Sequence, residues 1–278
     1  MKVAVIQMVS GTSVQSNLDS AQGLLRTAAA EGAELAILPE YFCLLGRKDT
    51  DKLAAQEPLG QGPIQQFLAA SARELGLWIV GGTLPLALPS KEQVATPVDR
   101  VFNSTLVYAP SGERVCRYDK IHLFRFDNGR ERYDESAVLR AGAEPVSFEL
   151  PSRDGHLWRV GLSICYDLRF PELYRLYADQ GAHLLLVPSA FTYGTGQAHW
   201  DILLRSRAIE NLAFVAAAAQ GGVHENGRRT WGHSLLVDPW GRLLAERAEG
   251  AGVVCAELDF DRLSACRAQL PALGDRVL

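Results

Sequence analysis

The chain has 278 residues, of which 47% are hydrophobic and 22% are charged, and its formal net charge is −4. This length and composition are typical of a globular protein that can bury a sizeable core. The negative charge, without a basic stripe, argues against nucleic-acid binding, and no apolar run approaches the roughly 20 residues of a membrane helix.

The five cysteines are scattered, and no two of them have Cys-x-x-Cys spacing; they are Cys43, Cys116, Cys165, Cys255 and Cys266. This pattern is typical of a reducing compartment, so we expect a cytoplasmic protein without a disulfide framework. No signal-peptide pattern precedes the first predicted strand. Because no His-Glu-x-x-His motif occurs either, no metal ion is expected.

Apolar strands and helices alternate along the first half of the chain. Asn17 is predicted to cap a helix that ends near Gly32, and Pro63 to begin a helix that ends at Gly76. The predicted strands here are residues 3–8, 35–38, 78–80, 102–108 and 115–121. Two loops are expected: residues 85–100, which contain three prolines, and the charged residues 125–145, which we place at the rim of a binding site.

The second half is organised around an apolar run that ends at Cys165. A tight turn follows, then a helix that Pro171 begins and Gly181 ends, and then a strand at 184–187, which makes a βαβ unit. The later predicted elements are a helix at 198–210, a strand at 214–218, a hairpin of 233–237 and 242–245, a strand at 253–258 and a helix at 261–269. Because no linker interrupts the alternation, we predict one α/β domain over residues 1–278, with two sheets between helical layers.

Cys165 is the first candidate for chemistry, because it lies at the carboxyl end of a predicted parallel strand, where open α/β sheets place their sites. A following helix N-terminus or a nearby cation can lower the pKa of a thiol and make it a nucleophile. A free cysteine is more often a small buried hydrophobe. The strand–turn–helix context favours a nucleophile here, and the other four cysteines, which lack it, are predicted to be structural.

Glu40 and Lys120 end two other predicted strands. Glu40 follows Pro39 among apolar neighbours, which favours a general base over the exposed carboxylate that glutamate usually provides. Lys120 taken alone would be a solvent-exposed lysine at a strand end. Its neighbours are largely apolar, however, and a lysine beside a cysteine would stabilise the thiolate and then an oxyanion.

Three segments resemble the signatures of the nitrilase-type carbon–nitrogen hydrolase superfamily, in that family's order. They are residues 38–40 (Leu-Pro-Glu), 118–124 (Tyr-Asp-Lys-Ile-His-Leu-Phe) and 164–172 (Ile-Cys-Tyr-Asp-Leu-Arg-Phe-Pro-Glu). The similarity continues through residues 188–191, 196–200, 231–234 and 237–241, and so covers nearly the whole chain. It implies a four-layer αββα sandwich with two mixed sheets, a homodimer or higher homo-oligomer, and a Glu–Lys–Cys triad without metal or cofactor.

The same resemblance implies a role for each residue. Cys165 attacks the carbonyl and forms a thioester, while Glu40 takes the thiol proton, passes it to the leaving amine and then activates water. Lys120 and the backbone N–H of Tyr166 hold the oxyanion. The family often has a second glutamate between the lysine and the cysteine. Glu135 is the best match, although it could instead be one charge among many in a polar loop.

The implied branch is that of the ω-amidases and deaminated-glutathione amidases, and residues 207–211 and 217–224 are more similar to the latter. The implied reaction converts deaminated glutathione to 2-oxoglutarate and cysteinylglycine. Because this small amide substrate is anionic, it needs a basic contact, and the candidates are Arg125, Arg130, Arg132 and Arg169. Phe191 is a further expected substrate contact. Asp167, Arg169 and Glu172 are expected to form a network that fixes the turn after Cys165, and substrate binding is the alternative role of Arg169.

Other functions remain open at this point. An ω-amidase acting on 2-oxoglutaramate is the alternative within the branch, and a nitrilase or a carbamoylase is a more distant one. A Cys-His-Asp hydrolase of the α/β-hydrolase type, with His233 as base, would need flanking glycines that residues 163–167 lack. A metabolite-binding scaffold on the same fold is the non-enzymatic alternative, and intact Glu40, Lys120 and Cys165 argue against it.

Overall fold

The computed structural model describes residues 1–89, 100–129 and 131–277. Its helices are α1 (Val14–Ala30), α2 (Asp51–Ala54), α3 (Pro63–Leu75), α4 (Pro171–Asp179), α5 (Tyr193–Asn211) and α6 (Phe260–Gln269). Two short 3-10 helices span Glu135–Ala137 and Cys165–Arg169. Within the described ranges, no helix combines the length and apolar character that crossing a membrane requires.

The strands of the first half are β1 (Lys2–Gln7), β2 (Leu35–Ile37), β3 (Trp78–Val80), β4 (Leu84–Ala87), β5 (Val101–Tyr108), β6 (Arg114–Asp119), β7 (Arg125–Asp127), β8 (Arg132–Asp134) and β9 (Leu139–Arg140). Those of the second half are β10 (Ser147–Pro151), β11 (Leu157–Leu162), β12 (Leu184–Leu186), β13 (Phe214–Ala217), β14 (Gly221–Val223), β15 (Arg229–Trp231), β16 (Ser234–Val237), β17 (Leu243–Arg247) and β18 (Gly252–Glu257).

The strands form two large mixed sheets of similar design. One has the order β18-β1-β2-β3-β5-β4, with β6 and β9 also paired to β5, and the other has the order β10-β11-β12-β13-β16-β17. Each sheet contains three adjacent parallel strands, β1, β2 and β3 in the first and β11, β12 and β13 in the second. The arrangements β1–α1–β2 and β11–α4–β12 supply four of these six parallel strands, and the second of them is the βαβ unit predicted around Cys165.

Alternation along the strands builds the layers, because successive side chains of a strand point to opposite faces. Val3 and Val5 of β1 join the cluster that also contains Val160 of β11, whereas Ala4 and Ile6 pack in the cluster formed with α1 and α3. The far side of the second sheet is covered by α4 and α5, which bury residues such as Tyr177 and Trp200. The predicted αββα sandwich is therefore confirmed.

The predicted start of the first helix is wrong. The helix begins at Val14, and Ser13 is its N-cap, with a side chain that accepts a hydrogen bond from the Ser16 N–H. Asn17 lies inside the helix and is buried. Its amide instead donates hydrogen bonds to the carbonyls of Gly11 and Cys43, so it stabilises neighbouring loops and does not cap the helix.

Two other boundaries differ from the prediction. The helix expected at 198–210 begins at Tyr193, because Gly194 and Gly196 weaken the helical pattern of its first turn without preventing it. The loop expected at 85–100 opens with strand β4, where Pro85 is tolerated because β4 is the last strand in the sheet order. The rest of that loop, residues 90–99, lies outside the described residues.

The charged segment 125–145 is more regular than predicted. It contains the β7–β8 hairpin, a 3-10 helix and strand β9. The Asp134 carboxylate caps the 3-10 helix by accepting from the Ser136 N–H at 3.1 Å. The segment therefore places Glu135 at a fixed point of the structure.

Candidate active site

Cys165 occupies a sharp turn that both neighbouring strands hold in place. It follows β11 with φ of 50°, a left-handed conformation that is uncommon for a residue other than glycine. Its backbone N–H donates to the carbonyl of Pro188, after β12, at 2.9 Å. The side chain is only 8% exposed, so the turn presents a nearly buried thiol at the carboxyl ends of two parallel strands.

Asp167 fixes this turn from inside. Its fully buried carboxylate accepts hydrogen bonds from the Ile164 N–H at 2.9 Å, the Tyr118 hydroxyl at 2.6 Å and the His122 N–H at 2.9 Å. The His122 ring stacks on Phe170 with centroids 3.6 Å apart. Asp167 therefore ties the cysteine turn to the segment that carries Lys120.

The network predicted for Asp167, Arg169 and Glu172 is wrong for two of its members. Glu172 is exposed on α4. Arg169 contacts His199 and lies over the rings of Tyr166 and Phe191, at 5.8 and 5.5 Å from their centroids. Its guanidinium packs against aromatic faces at the pocket, which leaves Asp167 as the one predicted residue that holds the turn.

Lys120 joins two carboxylates. Its Nζ lies 2.9 Å from Glu40 Oε1 and 2.8 Å from Glu135 Oε2, and Lys120 and Glu40 are each 1% exposed. Burial by itself would lower the pKa of Lys120, but the charges of Glu135 and Glu40 raise it well above its usual value. Burial would raise the pKa of Glu135, but Lys120 lowers it. Lys120 and Glu135 are therefore both charged at neutral pH.

The two glutamates are further held by neutral donors. Asn103 Nδ2 donates to Glu40 Oε1 at 2.9 Å, and the Ala190 N–H donates to Oε2 at 3.0 Å. The Tyr41 hydroxyl donates to Glu135 Oε1 at 2.8 Å, and the Phe124 N–H donates to Oε2 at 2.7 Å. All four carboxylate oxygens thus have partners.

Asn103 and Tyr41 were not predicted as site residues. A polar side chain inside the apolar strand β5 was the available signal for Asn103, which is buried. Tyr41 directly follows Glu40, and its φ of 57° turns the chain there. That signal is conformational and cannot be read from the sequence.

The Cys165 thiol has a pKa well above its usual value. Burial is the largest cause, and the Glu40 charge adds to it, while Lys120 and the Ala190 N–H act in the opposite direction. The cation predicted beside the cysteine is present, but it does not dominate. The thiol is therefore neutral at rest, and it must lose its proton to a neighbouring base when it reacts.

A pocket with an empty volume of about 380 Å³ opens onto this group. Six of the residues that line it are predicted site residues: Glu40, Glu135, Cys165, Tyr166, Arg169 and Phe191. Arg125 is not among them, since it is exposed on β7 opposite Asp134. Arg132 is exposed on β8 and does not line the pocket, and Arg130 lies outside the described residues.

Six lining residues were not predicted as site residues: Tyr41, Phe124, Ala190, Thr192, Thr195 and Arg228. The two threonines lie at the start of α5, which the sequence analysis placed too late. Arg228 ends a glycine-containing turn, and no pattern in the sequence marks it. Across the described residues, no group of three or more His, Cys, Asp or Glu side chains is arranged to hold a metal ion.

Comparison with known proteins gives close relatives over the full length. The chain is 40% identical over 275 residues to the deaminated glutathione amidase of Synechocystis sp. (strain PCC 6803 / GT-S), covering 99% of this chain and 97% of that one. It is 35% identical over 277 residues to the Omega-amidase NIT2 of Homo sapiens, covering 99% and 94%.

Solved structures and family models agree with these relatives. The structure of Saccharomyces cerevisiae Nit3, described as a member of branch 10 of the nitrilase superfamily, superposes with a TM-score of 0.87 at 30% identity, covering 100% of this chain and 97% of that chain. The model of the carbon-nitrogen hydrolase family matches residues 2–268. The chain therefore belongs to the carbon–nitrogen hydrolase family.

Proposed function

We propose that the protein is an amidase that hydrolyses deaminated glutathione to 2-oxoglutarate and cysteinylglycine through a thioester on Cys165. The observation that carries the proposal is the contact of buried Lys120 with both Glu40 and Glu135, two carboxylates that line one pocket together with the Cys165 thiol. The names of the relatives support this choice of substrate, and the ω-amidase among them supports 2-oxoglutaramate as the alternative.

In the first half of the reaction, Cys165 attacks the amide carbonyl while Glu40 accepts the thiol proton. Glu40 and Cys165 line the same pocket, and the charge of Glu40 helps to raise the pKa of the thiol, which supports a short path for the proton. When the tetrahedral intermediate collapses, the carbon–nitrogen bond breaks and Glu40 returns the proton to the leaving amine. A 2-oxoglutaryl thioester then remains on the enzyme.

In the second half, Glu40 removes a proton from water, which attacks the thioester and releases 2-oxoglutarate and the free thiol. Lys120 and the backbone N–H of Tyr166 stabilise the oxyanion in both halves. Loss of one such donor typically costs on the order of 100- to 1000-fold in rate. Glu135 positions Lys120 for this role through its two short contacts.

Arg169 is the basic residue we propose for the 2-oxo acid end of the substrate. It lines the pocket, and its guanidinium lies over the face of Phe191, so the charge is held at the wall beside Cys165. A guanidinium binds a carboxylate through two parallel hydrogen bonds, which fixes orientation as well as charge.

The competing mechanism with His233 as base has no support in the geometry. His233 Nδ1 lies 2.5 Å from Glu246 Oε1, and the residues lining the pocket, in the described part of the chain, include no histidine. A binding-only scaffold would not need a buried lysine between two carboxylates, because charges out of water are costly to keep.

We also propose a homodimer, formed by the outer face of α4 and α5. Leu176 on α4 is 47% exposed, and Ile202 and Ile209, seven residues apart on α5, are 66% and 48% exposed. Trp240, 50% exposed, follows on the β16–β17 turn.

One domain over residues 1–278 is proposed because β18 pairs with β1, and a cytoplasmic location because the five cysteines are free.

Steady-state kinetics with two amides test the proposed substrate. We expect kcat/KM for deaminated glutathione to exceed that for 2-oxoglutaramate by tenfold or more, which corresponds to about 1.4 kcal/mol of transition-state discrimination. A tenfold preference for 2-oxoglutaramate would instead make the protein an ω-amidase. Release of neither 2-oxoglutarate nor an amine would contradict amidase activity on this substrate class.

A further inference from the structure

A second cavity adjoins the pocket that contains Cys165. The two share Thr192 and Arg228 as wall residues, and the outer cavity is completed by the β7–β8 hairpin, the first turn of α5 and the turn before β15. A molecule bound at the thiol can therefore extend outward past Arg228 without leaving the protein surface.

The charged residues around the outer cavity differ in whether they already have a partner. Arg229 is already engaged, since its guanidinium lies 3.0 Å from Glu249 and stacks 3.7 Å from the Tyr193 ring centroid. Among the described residues of the wall, Glu131 is the one carboxylate, and it is exposed to solvent. The cation that faces both cavities is Arg228.

Arg228 has a fixed position but no counter-ion among the residues that the structure describes. It is half-buried, and its guanidinium lies 5.3 Å from the centroid of the Tyr133 ring. No carboxylate within the described ranges comes within 4.0 Å of that guanidinium. Asp49, the nearby acid that its charge influences, is paired with Lys52 at 2.9 Å. A half-buried arginine without a partner at a cavity wall is a ready site for an anion.

We propose that Arg228 binds a carboxylate on the leaving-amine side of the substrate, so that the outer cavity is a subsite for an amide whose amine carries a carboxylic acid. The inference rests on the proposed function and extends it. Deaminated glutathione has such a group, the carboxylate of its glycine, whereas the leaving group of 2-oxoglutaramate is ammonia. Arg169 and Arg228 then hold opposite ends of one substrate, with the scissile bond at Cys165 between them.

Arg228→Ala, assayed with both amides, tests this assignment. We expect KM for deaminated glutathione to rise about tenfold or more with little change in kcat, and the kinetics with 2-oxoglutaramate to stay unchanged. Arg228→Lys should recover part of the loss, because it keeps the charge without the planar guanidinium. Arg26→Ala, which removes one exposed arginine of α1, is the matched control for net charge.

A modified substrate makes the test specific. Deaminated glutathione with a carboxamide in place of the glycine carboxylate should be a poorer substrate for the unmodified enzyme by a similar factor. The Arg228→Ala variant should no longer distinguish the carboxamide form from the carboxylate form. Equal losses on both amides in Arg228→Ala would assign a structural role and overturn the subsite, as would no change on either. Failure of the unmodified enzyme to hydrolyse either amide would overturn the proposed function, and the subsite with it.

Discussion

Burial and the charges of Glu40 and Lys120 set the protonation state of the Cys165 thiol. Burial is the largest cause of its raised pKa, and Glu40 adds to it while Lys120 acts in the opposite direction, so the surroundings of Cys165 favour a neutral thiol. Transfer of the thiol proton to Glu40 moves one negative charge from a carboxylate to sulfur without changing the total charge of the site. Lys120 contacts Glu40, and this pairing offsets part of the cost of keeping charge out of water. The proton transfer therefore moves the negative charge only a short distance within a site that already contains a counter-charge.

Replacement of Glu135 tests whether this group acts in catalysis. We expect Glu135→Gln to lower kcat by about 100-fold or more, because Lys120 loses its closest counter-charge. This is the lower end of the range for the loss of a general acid or base. Tyr41→Phe is the matched control, since it removes one neutral hydrogen bond to the same carboxylate and leaves the charge. It should change kcat less than tenfold. Similar small effects in both variants would place Glu135 outside the machinery.

The same carboxylate predicts a pH dependence of stability. The pKa of Glu135 is below its usual value of 4.5 in the folded protein, so its contribution is complete above pH 4.5 and is lost as pH falls through the lower folded value. Lys120, whose pKa is raised, stays protonated over this range. The Tm difference between the unmodified protein and Glu135→Gln should therefore be largest near pH 7 and shrink below pH 4.5. A difference that stays constant down to pH 3 would contradict the ion pair.

Helices bounded by proline and glycine, and strands formed by short apolar runs, could be predicted from the sequence. Pro171 and Gly181 bound α4 closely, and the apolar runs before Glu40 and Cys165 are strands. Glu40, Lys120 and Cys165 could each be placed at the end of a predicted strand. Because these strands belong to two different sheets, strand positions alone could not group the three residues, and their grouping with one another and with Glu135 came from family resemblance.

Elements that depend on distant contacts could not be predicted. Asn17 has the chemistry of a helix cap, but the loop carbonyls of Gly11 and Cys43 compete for its amide. The β7–β8 hairpin is built from charged residues that carry no strand pattern. Arg228 reaches the pocket only because the turn before β15 folds over it. The deciding contacts of Asn17 with the Cys43 carbonyl and of Arg228 with the Cys165 pocket are distant in the sequence, whereas the hairpin pairs residues that are close together.

The loop after β3 supports the strand end that carries Glu40. Gly82 has φ of 49°, and a Cβ placed there would lie 2.1 Å from the carbonyl oxygen of Pro39. Gly82→Ala must therefore displace the backbone beside Glu40, and we expect a destabilisation above about 2 kcal/mol together with a lower kcat.

Gly76→Ala is the control for left-handed strain alone. Gly76 ends α3 with φ of 64°, and a Cβ there would meet no atom within 4 Å. We expect a loss of about 1 to 2 kcal/mol in denaturant unfolding and no change in kcat. Equal kcat values in the two variants would show that the Gly82 contact does not position Glu40.

At the scale of the whole molecule, the site joins the two sheets. Glu40 and Lys120 follow strands of the eight-stranded sheet, whereas Cys165 and Ala190 follow strands of the six-stranded sheet. The hydrogen bond from the Ala190 N–H to Glu40 crosses between them. Catalytic geometry therefore depends on the packing of one sheet against the other, and not on either sheet alone.

The proposed dimer face can be tested by charge. Ile202→Glu places a carboxylate in the centre of the exposed apolar face of α5, and burial of an unpaired charge disfavours association. Size-exclusion chromatography with light scattering should give twice 30.4 kDa for the unmodified protein and a smaller mass for the variant. Val223→Glu, at an equally exposed apolar residue on β14, should leave the dimer intact. A monomeric unmodified protein would rule out the proposed assembly.

The central claim is that Cys165 carries the acyl group during hydrolysis. Intact-mass measurement of enzyme quenched in acid during turnover of deaminated glutathione tests it most directly, with peptide mapping to locate the adduct. The mechanism predicts a mass increase of one 2-oxoglutaryl group, confined to the peptide that contains Cys165 and absent in Cys165→Ala. Turnover without any adduct, or an adduct at Cys43 or Cys116, would contradict it.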